Sequence, residues 1–106
     1  MLYEMRTYTL KPGQTARWLE LYEAHALPVL LATEGMTLIG YFKTEVGPLN
    51  RVIHIWSYPD FEARSRALAL VAAHPAWARD FLPQAQSCLE AQETALLSGA
   101  RFSPLQ

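Results

Sequence analysis

Gly40-Tyr41-Phe42-Lys43-Thr44-Glu45-Val46-Gly47-Pro48-Leu49-Asn50-Arg51-Val52-Ile53-His54-Ile55-Trp56-Ser57-Tyr58 is the stretch on which the reading of this chain turns. Its first part is rich in aromatic and β-branched residues and reads as a strand running from Met36 to Val46. Gly47-Pro48-Leu49-Asn50 holds turn formers, and Arg51–Tyr58 alternates again as a second strand. The connection is too short for a crossover, so the two strands form an antiparallel hairpin. His54 and Trp56 lie two apart and therefore share a face.

Working outward, residues 2–10 also alternate. Leu2, Glu4, Arg6, Tyr8 and Leu10 point one way, and Tyr3, Met5, Thr7 and Thr9 the other. Lys11-Pro12-Gly13 ends this strand. Residues 14–33 carry a helical stripe of Trp18, Tyr22, His25, Val29 and Ala32, with Thr15 as the expected N-cap and Gly35 as a stop. Pro28 falls inside that pattern and is expected to kink or split the helix near Leu27. Pro59 and Asp60 open a second helix reaching about Ala73, and His74-Pro75 interrupts it. A short helix from Pro75 to about Gln84 then buries Trp77 and Phe81. Propensity favours helix over residues 87–97, yet Leu89, Ala91, Glu93, Ala95 and Leu97 alternate as a strand would. The preceding order β-α-β-β-α lacks a closing strand, and that demand favours a strand here. The stretch from Ser98 to Gln106 reads as loop.

The order β-α-β-β-α-β predicts an α+β, ferredoxin-like domain with a four-stranded antiparallel sheet. Its 106 residues fit one domain. Helices then cover one sheet face only. The residues of the other face are largely apolar, so the expected partner is a second copy, packed sheet to sheet as a homodimer. The chain is 51% hydrophobic and 18% charged with a net charge of −1, enough apolar mass for a core and no basic stripe for nucleic acid. Cys88 is the one cysteine and reads as a small buried side chain; no intrachain disulfide can form. Met1–Arg6 reads as strand rather than as a leader, and no apolar run reaches the roughly 18 residues of a membrane span, so the expected location is cytoplasmic.

The stretch Tyr3–Gly13, the Gly40–Tyr58 block, His74-Pro75-Ala76-Trp77 and Phe102-Ser103-Pro104-Leu105 together resemble the NIPSNAP family. The most specific part is Thr44–Asn50 followed by His54-Ile55-Trp56. The resemblance spans almost the whole chain and implies a dimeric α/β barrel, related to small monooxygenases and chlorite-dismutase-like domains. It also supports a strand over 87–97. For function it implies little. Family members are mostly of unknown activity. Some eukaryotic relatives have mitochondrial or vesicle-linked roles and carry targeting segments or duplicated domains; with one domain and no leader read here, those roles are not expected to transfer. The wider superfamily holds cofactor-free oxygenases and haem binders, whose catalytic residues do not carry over here position by position.

Read from the residues, His54 is the candidate base or hydrogen-bond partner of a pocket between sheet and helices, and Trp56 a stacking surface for a planar ligand. The competing reading is a satisfied core histidine beside a packed tryptophan. Arg6 and Tyr8, with Glu4, share one face of the first strand and can form a network meeting His54. Alternatively they form an ion pair in the dimer interface, or Arg6 pairs with Glu93. Tyr22 and His25 can reach the pocket from the first helix, or else form a helix flank. Zinc-binding spacings, phosphate-cradling glycines and a nucleophile elbow are all missing from the sequence, so no metal and no cofactor is expected. The functional reading is a small-molecule-binding dimer, with cofactor-independent oxygenase-like chemistry as its enzymatic form. A structural or regulatory dimer is the alternative, and haem binding a weaker one.

Overall fold

A computed structural model describes residues 1–106. The chain runs β1 (Leu2–Leu10), α1 (Thr15–Leu21), α2 (Leu27–Ala32), β2 (Thr37–Lys43), β3 (Arg51–Tyr58), α3 (Phe61–Ala73), α4 (Leu82–Gln86) and β4 (Leu89–Leu97). The strands form one antiparallel sheet in the order β2-β3-β1-β4. This is the ferredoxin-like α+β arrangement, and residues 87–97 join it as a strand from Leu89. Closing the sheet outweighs their helical propensity, because β1 would otherwise present a bare edge.

Two departures from regular helix matter for the site. Tyr22–Ala26 and Ala76–Phe81 are π-helical. Each directly precedes a Leu-Pro pair, Leu27-Pro28 and Leu82-Pro83. A proline ring collides with the carbonyl four residues back and brings no N–H to it. The chain responds by widening a turn. The Leu27 N–H reaches back to the Tyr22 carbonyl, and the Leu82 N–H to the Trp77 carbonyl, both five residues away. Pro28 thus splits the first helix where expected. Thr15 does not cap it: Gln14 occupies that position, with no side-chain hydrogen bond to the helix. Asp60 caps α3, its Oδ1 accepting from the Ala63 N–H at 2.7 Å. Pro59 stands just outside that helix rather than in its first turn.

The register places Glu4 opposite Trp56, Arg6 opposite His54 and Tyr8 opposite Val52. All of these therefore share the helix-covered face. Glu4 is 1% exposed, and its charge is met from two sides. The Tyr58 hydroxyl donates to Oε1 at 2.8 Å, and Arg64 of α3 donates to Oε2 through Nε at 3.2 Å and Nη2 at 2.6 Å. The expected partners of the charged pair on β1 are thereby corrected. Glu4 pairs with a helix above the sheet. Glu93 lies opposite Thr7, on the other face from Arg6. α3 meets the sheet through Ala63, Ala67 and Val71, small residues one turn apart that let the helix lie close.

The uncovered face carries Tyr3 and Met5 of β1, Ile53 and Ile55 of β3, Ala95 and Leu97 of β4, and Phe42 of β2. Phe42 is 57% exposed and its ring lies over Gly40, where a Cβ would come within 2.6 Å of it. No helix is long and apolar enough to cross a membrane.

Candidate functional site

Between the covered face and the two broken helices lies a cavity of about 230 Å³. Arg6 and Tyr8 of β1 and His54 and Trp56 of β3 form its floor. Trp18 and Tyr22 wall it on one side, and Trp77, Phe81 and Leu82 on another. The exposed side chains of Gln86 and Gln92 stand at its edge. All 3 tryptophans of the chain line it.

His54 is 1% exposed and held on every side. Its ring stacks on Tyr41 at 4.5 Å between centroids and meets the Tyr8 ring edge-on at 5.0 Å. The Trp56 Nε1–H donates to His54 Nδ1 at 2.8 Å. A neutral imidazole has one acceptor nitrogen and one donor nitrogen, so this bond places the proton on Nε2. Nε2 itself is buried and has no partner. Burial pushes the His54 pKa from 6.5 down to about 3, with the nearby Arg6 charge adding to the effect. At neutral pH His54 is therefore an uncharged donor. Neither nitrogen can take a proton from a ligand, because Nδ1 is occupied and Nε2 already carries one. The geometry supports the hydrogen-bond partner of the two roles expected for His54, not the base.

Arg6 sits beside it across the β1–β3 ladder. Its guanidinium lies over the Tyr8 ring, 5.3 Å from the centroid. Its Nε is buried without a hydrogen-bond partner, and no carboxylate pairs with it. The surrounding phenols are no counter-charge. Burial raises the pKa of Tyr8, and raises that of Tyr22 well above the ordinary value. Burial likewise holds Tyr41 protonated, and its hydroxyl accepts from the Trp18 Nε1–H at 2.9 Å.

Of the residues singled out from the sequence, Arg6, Tyr8, Tyr22, His54 and Trp56 come together. His25 does not. It lies in an outer groove with Pro28, Leu70 and His74. A three-residue step from Tyr22 would keep it on the same side of an α-helix, but the wider π turn rotates it away. Trp18 and Phe81 were legible only as core, and Tyr41 only as a strand residue. The one signal for Trp18 is its spacing of four from Tyr22, which places both rings on one side. No group of three His, Cys, Asp or Glu side chains could hold a metal ion. Nor do the residues fit a haem: the His54 lone pair points to Trp56, and a cavity of about 230 Å³ is too small for a porphyrin.

Comparison with known proteins matches the NIPSNAP family over residues 3–104. Human Protein NipSnap homolog 3A is 33% identical over 97 residues, covering 91% of this chain and 38% of that protein. The chain thus spans about a third of the length of curated relatives such as this one. A nipsnap family protein with unknown function from Agrobacterium tumefaciens superposes with a TM-score of 0.91 at 37% identity, covering 100% of this chain and 94% of that one. An antibiotic biosynthesis monooxygenase shares the fold alone, with a TM-score of 0.68 at 18% identity over 94% of this chain and 99% of that one.

Proposed function

This chain belongs to the NIPSNAP family, and we propose that it binds a small planar molecule in the cavity beneath its helices. The observation that carries this reading is a cavity of about 230 Å³, walled by aromatic rings, that reaches from the exposed edge at Gln86 and Gln92 into the packed core. Native interiors hold few voids larger than a water molecule. The cavity exceeds the roughly 150 Å³ that accepts benzene and falls short of the roughly 300–1,000 Å³ of drug-sized sites. One substituted aromatic ring fits that interval.

Binding is better supported than catalysis. The oxygenase likeness rests on fold, and a fold hosts many unrelated functions. The cavity wall contains no carboxylate, and its histidine is a committed donor, so the lining residues offer no group to abstract a proton.

The test is direct because every tryptophan reports on the site. Saturable shifts of the indole N–H resonances during titration with single-ring compounds support the reading. Unmoved indole resonances across a panel of such compounds, at millimolar concentration, would favour the rival structural dimer.

The dimer is a second reading with its own support. Tyr3, Met5, Phe42, Ile53, Ile55 and Leu97 form a continuous apolar surface that a second copy can match about a two-fold axis. Sedimentation at micromolar concentration should then give twice the 12.0 kDa chain mass. A species of the single-chain mass alone would overturn it.

A further inference from the structure

We infer that the ligand of this cavity is a monoanion, a planar carboxylic acid of one ring whose carboxylate is taken by Arg6 and His54. The inference rests on the binding reading above and concerns the ligand's charge.

Two buried side-chain nitrogens lack hydrogen-bond partners, Arg6 Nε and His54 Nε2. Both belong to residues lining the same cavity, and those residues face each other directly across the β1–β3 ladder. Side chains of directly opposed residues start from Cβ atoms roughly 5 Å apart. Both orphaned groups are donors. Arg6 can only donate, and the Trp56 N–H leaves His54 only Nε2–H to offer. Buried donors left unmet are expensive and rare. Arg6 is half-buried and only its Nε is a buried orphan, so its terminal nitrogens stay open to a ligand. A ligand that meets these donors brings acceptors, and a carboxylate brings two oxygens on one carbon.

Charge narrows the class further. Arg6 is the only charged side chain lining the cavity, and it has no counter-ion. Glu4, the nearest carboxylate on its strand face, is already satisfied by Tyr58 and Arg64. One uncompensated cation beside one uncharged donor balances a single negative charge. A cationic ligand would meet repulsion and no acceptor. A dianion such as a phosphate ester would have half its charge unmet among aromatic rings. Tyr8, Trp18, Trp56 and Phe81 leave the space around the head group to a flat apolar body.

The experiment titrates the full chain with benzoate, benzamide and benzylamine, followed by tryptophan fluorescence and the indole N–H resonances. These share a ring and differ in charge. Benzoate should bind at least tenfold tighter than benzamide, and benzylamine should not saturate. In Arg6→Gln, checked for native near-UV dichroism, benzoate should lose at least tenfold while benzamide changes less than threefold. Equal binding of all three, or an unchanged benzoate preference in Arg6→Gln, would overturn the anion assignment and leave the aromatic site standing. Silence from all three would remove the cavity reading and this assignment together. If Arg6→Gln does not fold, Arg6→Lys gives the second measurement. It keeps the charge without the planar donors, and should keep benzoate over benzylamine while weakening benzoate several-fold.

Discussion

Acid should destabilise this protein through His54, and the size of the effect follows from its burial. In the unfolded chain His54 protonates near 6.5, whereas in the fold burial, and then Arg6, defers protonation to about 3. Between these values the unfolded state binds the extra proton and the folded state does not. The contribution is therefore fully present above 6.5 and is lost as pH falls toward 3. At 1.36 kcal/mol per pKa unit, the loss is about 2 kcal/mol by pH 5 and about 3 kcal/mol by pH 4. Against a typical domain stability of roughly 5–15 kcal/mol, that is a large share.

The perturbation that isolates it is His54→Gln. Glutamine carries no titrating proton, and its amide oxygen can still accept from Trp56. Urea unfolding of both proteins at pH 7.5, 6, 5 and 4 gives two stability curves. The variant has its own offset, from altered packing. The difference in slope is the readout, since the two proteins differ in no other ionisable group. The wild type should lose about 2 kcal/mol relative to the variant between pH 7.5 and 5. Parallel curves would refute the claim that His54 is neutral in the fold.

Tyr58→Phe removes one of the two groups that meet the buried Glu4 carboxylate, and should cost about 1.5–3 kcal/mol in urea unfolding at pH 7. A loss under about 0.5 kcal/mol would mean that Arg64 alone satisfies Glu4. Gly99→Ala addresses the segment after β4, where an added methyl would run into the Leu105 carbonyl. That segment folds on itself through Ser103 N–H to Ala100 O at 2.8 Å and Gln106 Nε2 to Ala100 O at 2.9 Å. The substitution should speed tryptic cleavage after Arg101 while changing global stability by less than about 0.5 kcal/mol. Unchanged cleavage would show that the turn tolerates a side chain at Gly99.

Much of the fold was legible because period-two patterning and turn chemistry agree along β1, β2 and β3. Residues 87–97 show where local signals tie. Their composition favours helix, and only the need of β1 for a neighbour decides for β4. Register was not legible. Every second residue of β1 can face the helices, and a slip of one residue inverts the faces. So Arg6 opposite His54, the pairing from which the site is built, had to come from the structure. The partner of Glu4 was hidden for a different reason. Arg64 is 60 residues away on α3, and nothing local links the two.

The site itself depends on a feature that reads in sequence as a defect. Pro28 and Pro83 each break a helix, and a break alone predicts lost hydrogen bonds and a kink. Both breaks are preceded by π turns that keep the backbone bonded one residue further back. Each turn therefore stays helical while the side chains on either side of it change direction. The two turns pack together, with Tyr22 and Phe81 edge-on at 5.6 Å. One turn brings Tyr22 to the cavity wall and swings His25 out, and the other presents Trp77 and Phe81. Two unbroken α-helices would carry His25 on the side of Tyr22. A second titratable ring would then face the aromatic wall opposite Arg6. The Leu-Pro pairs thus leave Arg6 as the only charged side chain lining the cavity, which is the condition for that cation to select a ligand by charge.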